Sequence, residues 1–198
     1  GFTDPAQAMR DIPGVNAIKD YGGFHMFFLR GFYESVVLTD GMRDERHALW
    51  QSAPLTGMAA VDHIEVLKGA ASMSVGHSAL GGVVNIINKQ PRSRASYEAS
   101  YTRGSWGTNR VTAGATGALS KKLNARADVE YLDSDGWRGN YTKQANAYAA
   151  IDYRIHPKHR LGLSLILSRD RFRGDYGQPH LAWDVYDSAT DQLAYKMG

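Results

Sequence analysis

The chain has 198 residues, 43% hydrophobic and 22% charged, with a net charge of +3 and no cysteine. These values fit one or two folded domains, and they exclude disulfides, thiolate metal sites and cysteine nucleophiles. No stretch approaches about 20 consecutive apolar residues, which excludes helical membrane spans but not membrane strands, whose alternation keeps mean hydropathy low. Lys and Arg are scattered through the chain, which argues against nucleic acid as a partner. The chain opens without an initiating Met or a signal sequence and closes on a polar run. Both ends predict a piece of a longer protein.

In chain order, "TDPAQAMRD" predicts a helix with Asp4 as N-cap and Pro5 in its first turn, stopping before Ile12-Pro13. Four short apolar runs follow, "FHMFFLRG", "SVVLTDG", "IEVLKG" and "GVVNIINK". Their β-branched and aromatic content and bounding glycines predict strands. Between them, "APLTGMAAVD" predicts a short helix with Pro54 near its start, and "GAASMS" one more helical turn. Residues 1–91 therefore read as an α+β domain.

After Pro91 the pattern becomes long alternation with period two. "SYEASYT", "NRVTAGATGAL", "LNARADVEYL", "QANAYAAIDYRI" and "RLGLSLILSR" give about five strands. The connections alternate as well: "SKK" and "HPKH" are short, while "DSDGWRGNYTK" and the stretch after Arg171 are long and polar. Strands of about ten residues, with short turns at one end and long loops at the other, are what a transmembrane barrel needs. Arg126, Asp128 and Glu130 share one strand face, and three charges cannot all enter the dry core of a soluble sandwich. They face water or a polar lumen, and the opposite face of alanine, glycine and leucine then faces lipid.

"SVGHSALGGVVNIINKQP" admits two readings. As a nucleophile elbow, Ser78 would need a buried strand before it, a glycine two residues after it and then a helix. Here Leu80 holds the glycine position, and the β-branched "GVVNIINKQP" is a poor helix and a good strand. Ser78 therefore reads as a turn residue. A serine hydrolase and a soluble carbohydrate-binding β-module stand as readings from other classes. The histidines lack H-E-x-x-H or comparable spacing, and no phosphate-binding G-x-x-x-x-G-K-[ST] occurs.

"AMRDIPGV", "FLRGF", "VVLTDGMR", "IEVLKG" and "GAASMSVGHSALGGVVNIINKQP", in this order and spacing, resemble the plug domain of TonB-dependent outer-membrane receptors. The resemblance covers residues 6–91, and the alternating remainder fits the start of that family's barrel. Gly69-Ala70-Ala71-Ser72 and Ser74-Val75-Gly76 depart from the family's usual Gly-Pro-x-Ser and Leu-Tyr-Gly. The resemblance implies a plug over residues 1–91, without the N-terminal TonB box, and the first roughly five antiparallel strands of a transmembrane β-barrel over 92–198.

It also implies a non-enzymatic importer of a ferric siderophore, with haem, cobalamin or another chelate as alternatives. Its setting would be the outer membrane of a Gram-negative bacterium, as a monomer contacting outer-membrane lipid. TonB-ExbB-ExbD would energise it, and iron would arrive already chelated, with no resident cofactor or metal. Ligand contacts are expected at Arg30 and in the loop "MRDERHALW", at Arg43, Arg46, His47 and Trp50, where arginines meet anionic ligand groups and Trp50 stacks. Plug-to-barrel contacts are expected at Glu65, Lys68 and Lys89, the last with barrel acids beyond residue 198.

Overall fold

The computed structural model describes residues 5–19, 24–32, 35–44, 53–54, 57–69, 80–173, 186–187 and 192–193. Helix α1 (Pro5–Met9) starts on Pro5 and ends before Pro13, and Met9 is fully buried. Strand β1 (Val15–Lys19) pairs antiparallel with β2 (Phe24–Leu29), which also pairs with β5 (Ala53–Pro54). A second sheet holds β3 (Ser35–Thr39), β4 (Met42–Arg43), β6 (Val61–Lys68) and β7 (Gly82–Asn88) in the order β4-β3-β7-β6, with β3 and β7 parallel. Central β7 carries Val83, Val84 and Ile86 in a nearly continuous apolar run, as expected of a strand covered on both faces. Met9, Phe27, Leu29, Val37, Val84 and Ile86 join the helix and both sheets in one core, and Val36, Leu38 and Val83 form a second cluster. Each such side chain contributes about 1.5–3 kcal/mol by leaving water.

The segment "APLTGMAAVD" is not the short helix expected. Ala53–Pro54 is extended against β2, and only Met58–Ala60 winds, as a single 3-10 turn. Gly57 interrupts the run and Ala53–Pro54 pairs with β2, so tertiary pairing overrides a weak helix propensity. "GAASMS" lies outside the described residues beyond Gly69. Two turns in this half have positive φ at both central residues, Arg30-Gly31 (56° and 85°) and Asp40-Gly41 (51° and 80°). This is the turn geometry whose twist matches a tight antiparallel hairpin.

The five alternating segments form one antiparallel meander of β8 (Ser96–Arg103), β9 (Asn109–Ser120), β10 (Leu123–Ser134), β11 (Thr142–His156) and β12 (His159–Phe172). A short pair, β13 (Tyr186–Asp187) and β14 (Gln192–Leu193), completes the described strands. Burial in the meander is inverted relative to a soluble protein. Arg126, Asp128 and Glu130 are at most 6% exposed, whereas Val129 is 52%, Leu163 59% and Leu165 56% exposed. The outward apolar row on β11 runs from Ala145 to Ile155. At ~3.4 Å per residue and a tilt near 40°, that row spans ~25 Å, the height of a bilayer-facing band. The sheet is built to face lipid on one side and protein on the other.

Candidate functional site

The polar face of the meander is covered by the N-terminal sheets, and the seam is a charge network. Arg126 donates from Nε and Nη2 to the two carboxylate oxygens of Asp128, each at 2.7 Å. Nη2 of Arg126 also reaches Glu98 Oε1 at 2.7 Å, and Lys89 Nζ donates to the other oxygen of Glu98 at 2.6 Å. Farther along β10, Glu130 Oε2 accepts from Arg110 Nη2 at 2.7 Å and from the backbone N–H of Ala59 at 3.0 Å. Three cations meet three carboxylates here, so the seam is close to neutral. Charge neutrality is what permits such groups to be buried between two protein surfaces.

Strand alternation explains why these residues meet. Arg126, Asp128 and Glu130 are two apart on β10, and the ladder places Glu130 opposite Thr112, one step from Arg110 on the same face of β9. Gly57 permits the close approach: a Cβ there would sit 2.8 Å from Asn146 Nδ2 and 2.9 Å from Glu130 Cδ. Tyr148 and Ala150 on β11 pack against Ala60 beside it. A cleft of about 450 Å³ remains between α1, β6 and the strands, lined by Met9, Ile12, His63, Lys89, Glu98 and Arg110. His63 hydrogen-bonds Asp62 at 2.9 Å and lies 3.6 Å from Glu65. The bond to Asp62 above all, with help from Glu65, raises its pKa above the usual histidine value.

Lys89 pairs across the seam, and its acid is Glu98 on β8 rather than one beyond residue 198. Glu65 and Lys68 have their partners elsewhere. Glu65 accepts a bond from Asn85 Nδ2 at 2.9 Å, and Lys68 donates to the carbonyl of Pro13 at 2.9 Å, both within the N-terminal sheets. Arg30 and Arg43 lie at opposite ends of β3. Arg30 occupies the β2–β3 turn, with Nη1 3.4 Å from where a Cβ on Gly69 would stand, near the start of β7. Arg43 follows the β3–β4 turn and lines a space against Ser164, Ile166 and Ser168 of β12. The end of β7 feeds β8, which begins beside the short β9–β10 turn. Arg30 is therefore at the long-loop end. Arg46, His47, Trp50 and Ser78 lie outside the described residues.

The sequence reading missed Arg110, Glu98, Asn146 and the clamp that Asp40 makes on Asn88. Asp40 Oδ1 accepts the backbone N–H of Asn88 and Oδ2 its side-chain amide, both at 2.8 Å, and Asn88 is 1% exposed. The signal for Arg110 and Glu98 was present as charge on the polar parity of β9 and β8. Nothing local announces Asn146 as more than another polar alternation.

An antiparallel sheet with an apolar outer face and a folded domain seated on its charged inner face defines a stoppered membrane β-barrel wall. Residues 1–83 match the family model "TonB-dependent Receptor Plug Domain". The ferripyoverdine receptor of Pseudomonas aeruginosa is 27% identical over 162 residues, covering 79% of this chain and 20% of that protein. The ferric-pyoverdine M114 receptor PbuA of Pseudomonas sp. strain M114 is 30% identical over 171 residues, covering 79% and 20%. The solved structure of the pyoverdine outer membrane receptor FpvA from P. aeruginosa PAO1, bound to pyoverdine, has a similar fold. Its TM-score is 0.76 at 24% identity, covering 85% of this chain and 25% of that one. The chain belongs to the TonB-dependent receptor family, whose members are outer-membrane proteins of Gram-negative bacteria. It spans about a fifth (20%) of the length of these curated relatives.

Proposed function

We propose that the chain is the plug, residues 1–91, and the first barrel strands, residues 92–198, of an outer-membrane receptor that imports a ferric siderophore. The observation that carries this reading is the neutral, hydrogen-bonded seam between a folded plug and the polar face of a lipid-facing sheet. A wide barrel leaks unless stoppered, and a stopper held by the Lys89–Glu98 pair and the Ala59–Glu130 hydrogen bond, rather than by a large apolar interface, is one that can yield. The siderophore class is supported by relatives named as receptors for ferric pyoverdines.

The ligand docks on the long-loop side, where Arg30 lies in its turn, with Arg46, His47 and Trp50 as its further contacts, whereas Arg43 sits at the opposite end of β3. Arginine suits anionic chelates through charge-assisted bonds, and Trp50 supplies a stacking face. Iron enters as cargo inside its chelate. TonB-ExbB-ExbD supplies the energy by pairing with a segment upstream of residue 1, by strand addition. The protein acts as a monomer and catalyses no reaction. The test is growth of an iron-starved receptor-deletion strain carrying the full gene, on a panel of purified ferric siderophores. Rescue by one or a few siderophores is expected; rescue only by haem, or uptake only of cobalamin, would overturn the siderophore assignment.

A further inference from the structure

The two ends of the membrane sheet differ in charge pattern. At the long-loop end cations alternate with acids, and Lys143 pairs with Asp133 at 3.1 Å. At the short-turn end, Arg92, Arg94, Lys121, Lys122 and Lys158 are all exposed, and none meets a carboxylate among the described residues. The one acid nearby, Asp152, is already taken by Arg160. The β-ladder gathers these cations: the backbone N–H of Arg154 bonds the carbonyl of Lys122 at 2.8 Å, so the β9–β10 turn lies against the end of β11. Likewise, Ala118 N–H bonds the carbonyl of Ser93 at 3.2 Å, bringing the approach to β8 alongside.

The outward row begins immediately beside this rim, where Leu119 is 70%, Ile155 55% and Leu161 47% exposed. The rim therefore lies where the hydrocarbon band gives way to headgroups. A surface of one sign that adjoins a lipid-facing band matches a ligand with an anionic head and apolar tails.

We propose that this short-turn rim binds the headgroups of anionic glycerophospholipids in the adjoining leaflet. The lysines act as mobile point charges on the phosphodiester, while Leu119, Ile155 and Leu161 hold the acyl chains. A free phosphate ion satisfies only half of this surface and binds far more weakly. A cationic partner is repelled. The inference rests on the membrane-spanning reading above and goes beyond it, because neither ligand transport nor plugging requires lipid selectivity.

The full-length receptor, purified in detergent and placed in nanodiscs of mixed phosphatidylglycerol and phosphatidylcholine, tests it by native mass spectrometry of retained lipid. The wild type retains phosphatidylglycerol about tenfold or more over phosphatidylcholine, on the order expected for several cations near one headgroup layer. Lys121→Gln/Lys122→Gln/Lys158→Gln brings the ratio close to one, and the corresponding Lys→Arg triple keeps it. Heat-modifiable migration in gels checks that each variant forms its barrel. Millimolar inorganic phosphate should not displace the lipid; displacement would mean a simple anion site and would overturn the proposal. Equal retention of both lipids by the wild type, or an unchanged ratio in the Gln triple, would overturn it too. So would tighter capture of a soluble poly-glutamate peptide than of anionic nanodiscs, which would assign the rim to an acidic protein. Failure to enter nanodiscs at all would overturn the membrane-spanning reading as well, whereas insertion without selectivity would remove this inference alone.

Discussion

Replacing Glu130 by alanine tests whether the charged seam holds the plug. Glu130 is 5% exposed, and its Oε2 serves both Arg110 on the neighbouring strand and the N–H of Ala59 in the 3-10 turn. Glu130→Ala leaves the Arg110 guanidinium, whose side chain is only 9% exposed, without its carboxylate. Breaking a buried pair from one side costs about 3–5 kcal/mol, and an orphaned buried N–H about 1–3 kcal/mol more. Water entering from the adjoining cleft offsets part of this, so about 3–5 kcal/mol in total is expected. Hydrogen exchange of residues 57–61 in the full receptor reads that loss directly, since local opening by about 3 kcal/mol accelerates exchange roughly 10²-fold. Glu130→Gln keeps the shape and one acceptor and should lose only about 1–3 kcal/mol. The double variant Arg110→Met/Glu130→Leu should recover much of the deficit, because no uncompensated charge remains. Wild-type exchange at residues 57–61 in Glu130→Ala would refute the reasoning.

Gly57→Ala drives a methyl group into Glu130 and Asn146, and should lower plug stability by about 1–3 kcal/mol, read as a lower first transition in calorimetry. Lys89→Met should cost only about 0–1 kcal/mol, because the side chain of its partner Glu98 is 48% exposed; a larger loss would show the Lys89 link to be the main tether. In NMR titration His63 should take up its proton at a higher pH than an ordinary histidine, and Asp62→Asn should move it back down. The sign follows: any stability from the His63–Asp62 bond is fully present at low pH and fades as pH rises through the raised pKa, so stability increasing over that range would contradict it. Arg46→Ala and Trp50→Ala should each weaken equilibrium binding of radiolabelled ferric siderophore to whole cells by about 1–3 kcal/mol, with surface expression unchanged; wild-type affinity in both would remove this segment from the ligand site.

Much of the architecture is local and was legible before any coordinates. A period-two pattern sustained over 12 residues in β9 and β10 fixes which side chains share a face, whatever the strand pairs with. The Arg-Gly and Asp-Gly dipeptides mark turns because glycine accepts positive φ without strain. The polar parity of β10, with Arg126, Asp128 and Glu130, already announced a face that lipid could not cover. Where local preference is weak, the sequence misled: Met58–Ala60 makes one turn of 3-10 helix because the flanking residues are held by β2 and the meander. The partners of the charged residues were beyond local reading. Glu130 meets Ala59 across 71 positions, while Lys68 turns to Pro13 across 55. Such pairings depend on ladder register and on how two surfaces dock, and a charged side chain carries no mark of which opposite charge it will find. Only the folded arrangement brings Lys89 to Glu98 and the Ala59 N–H to Glu130, the two polar contacts that seat the plug on the four ion pairs of the seam.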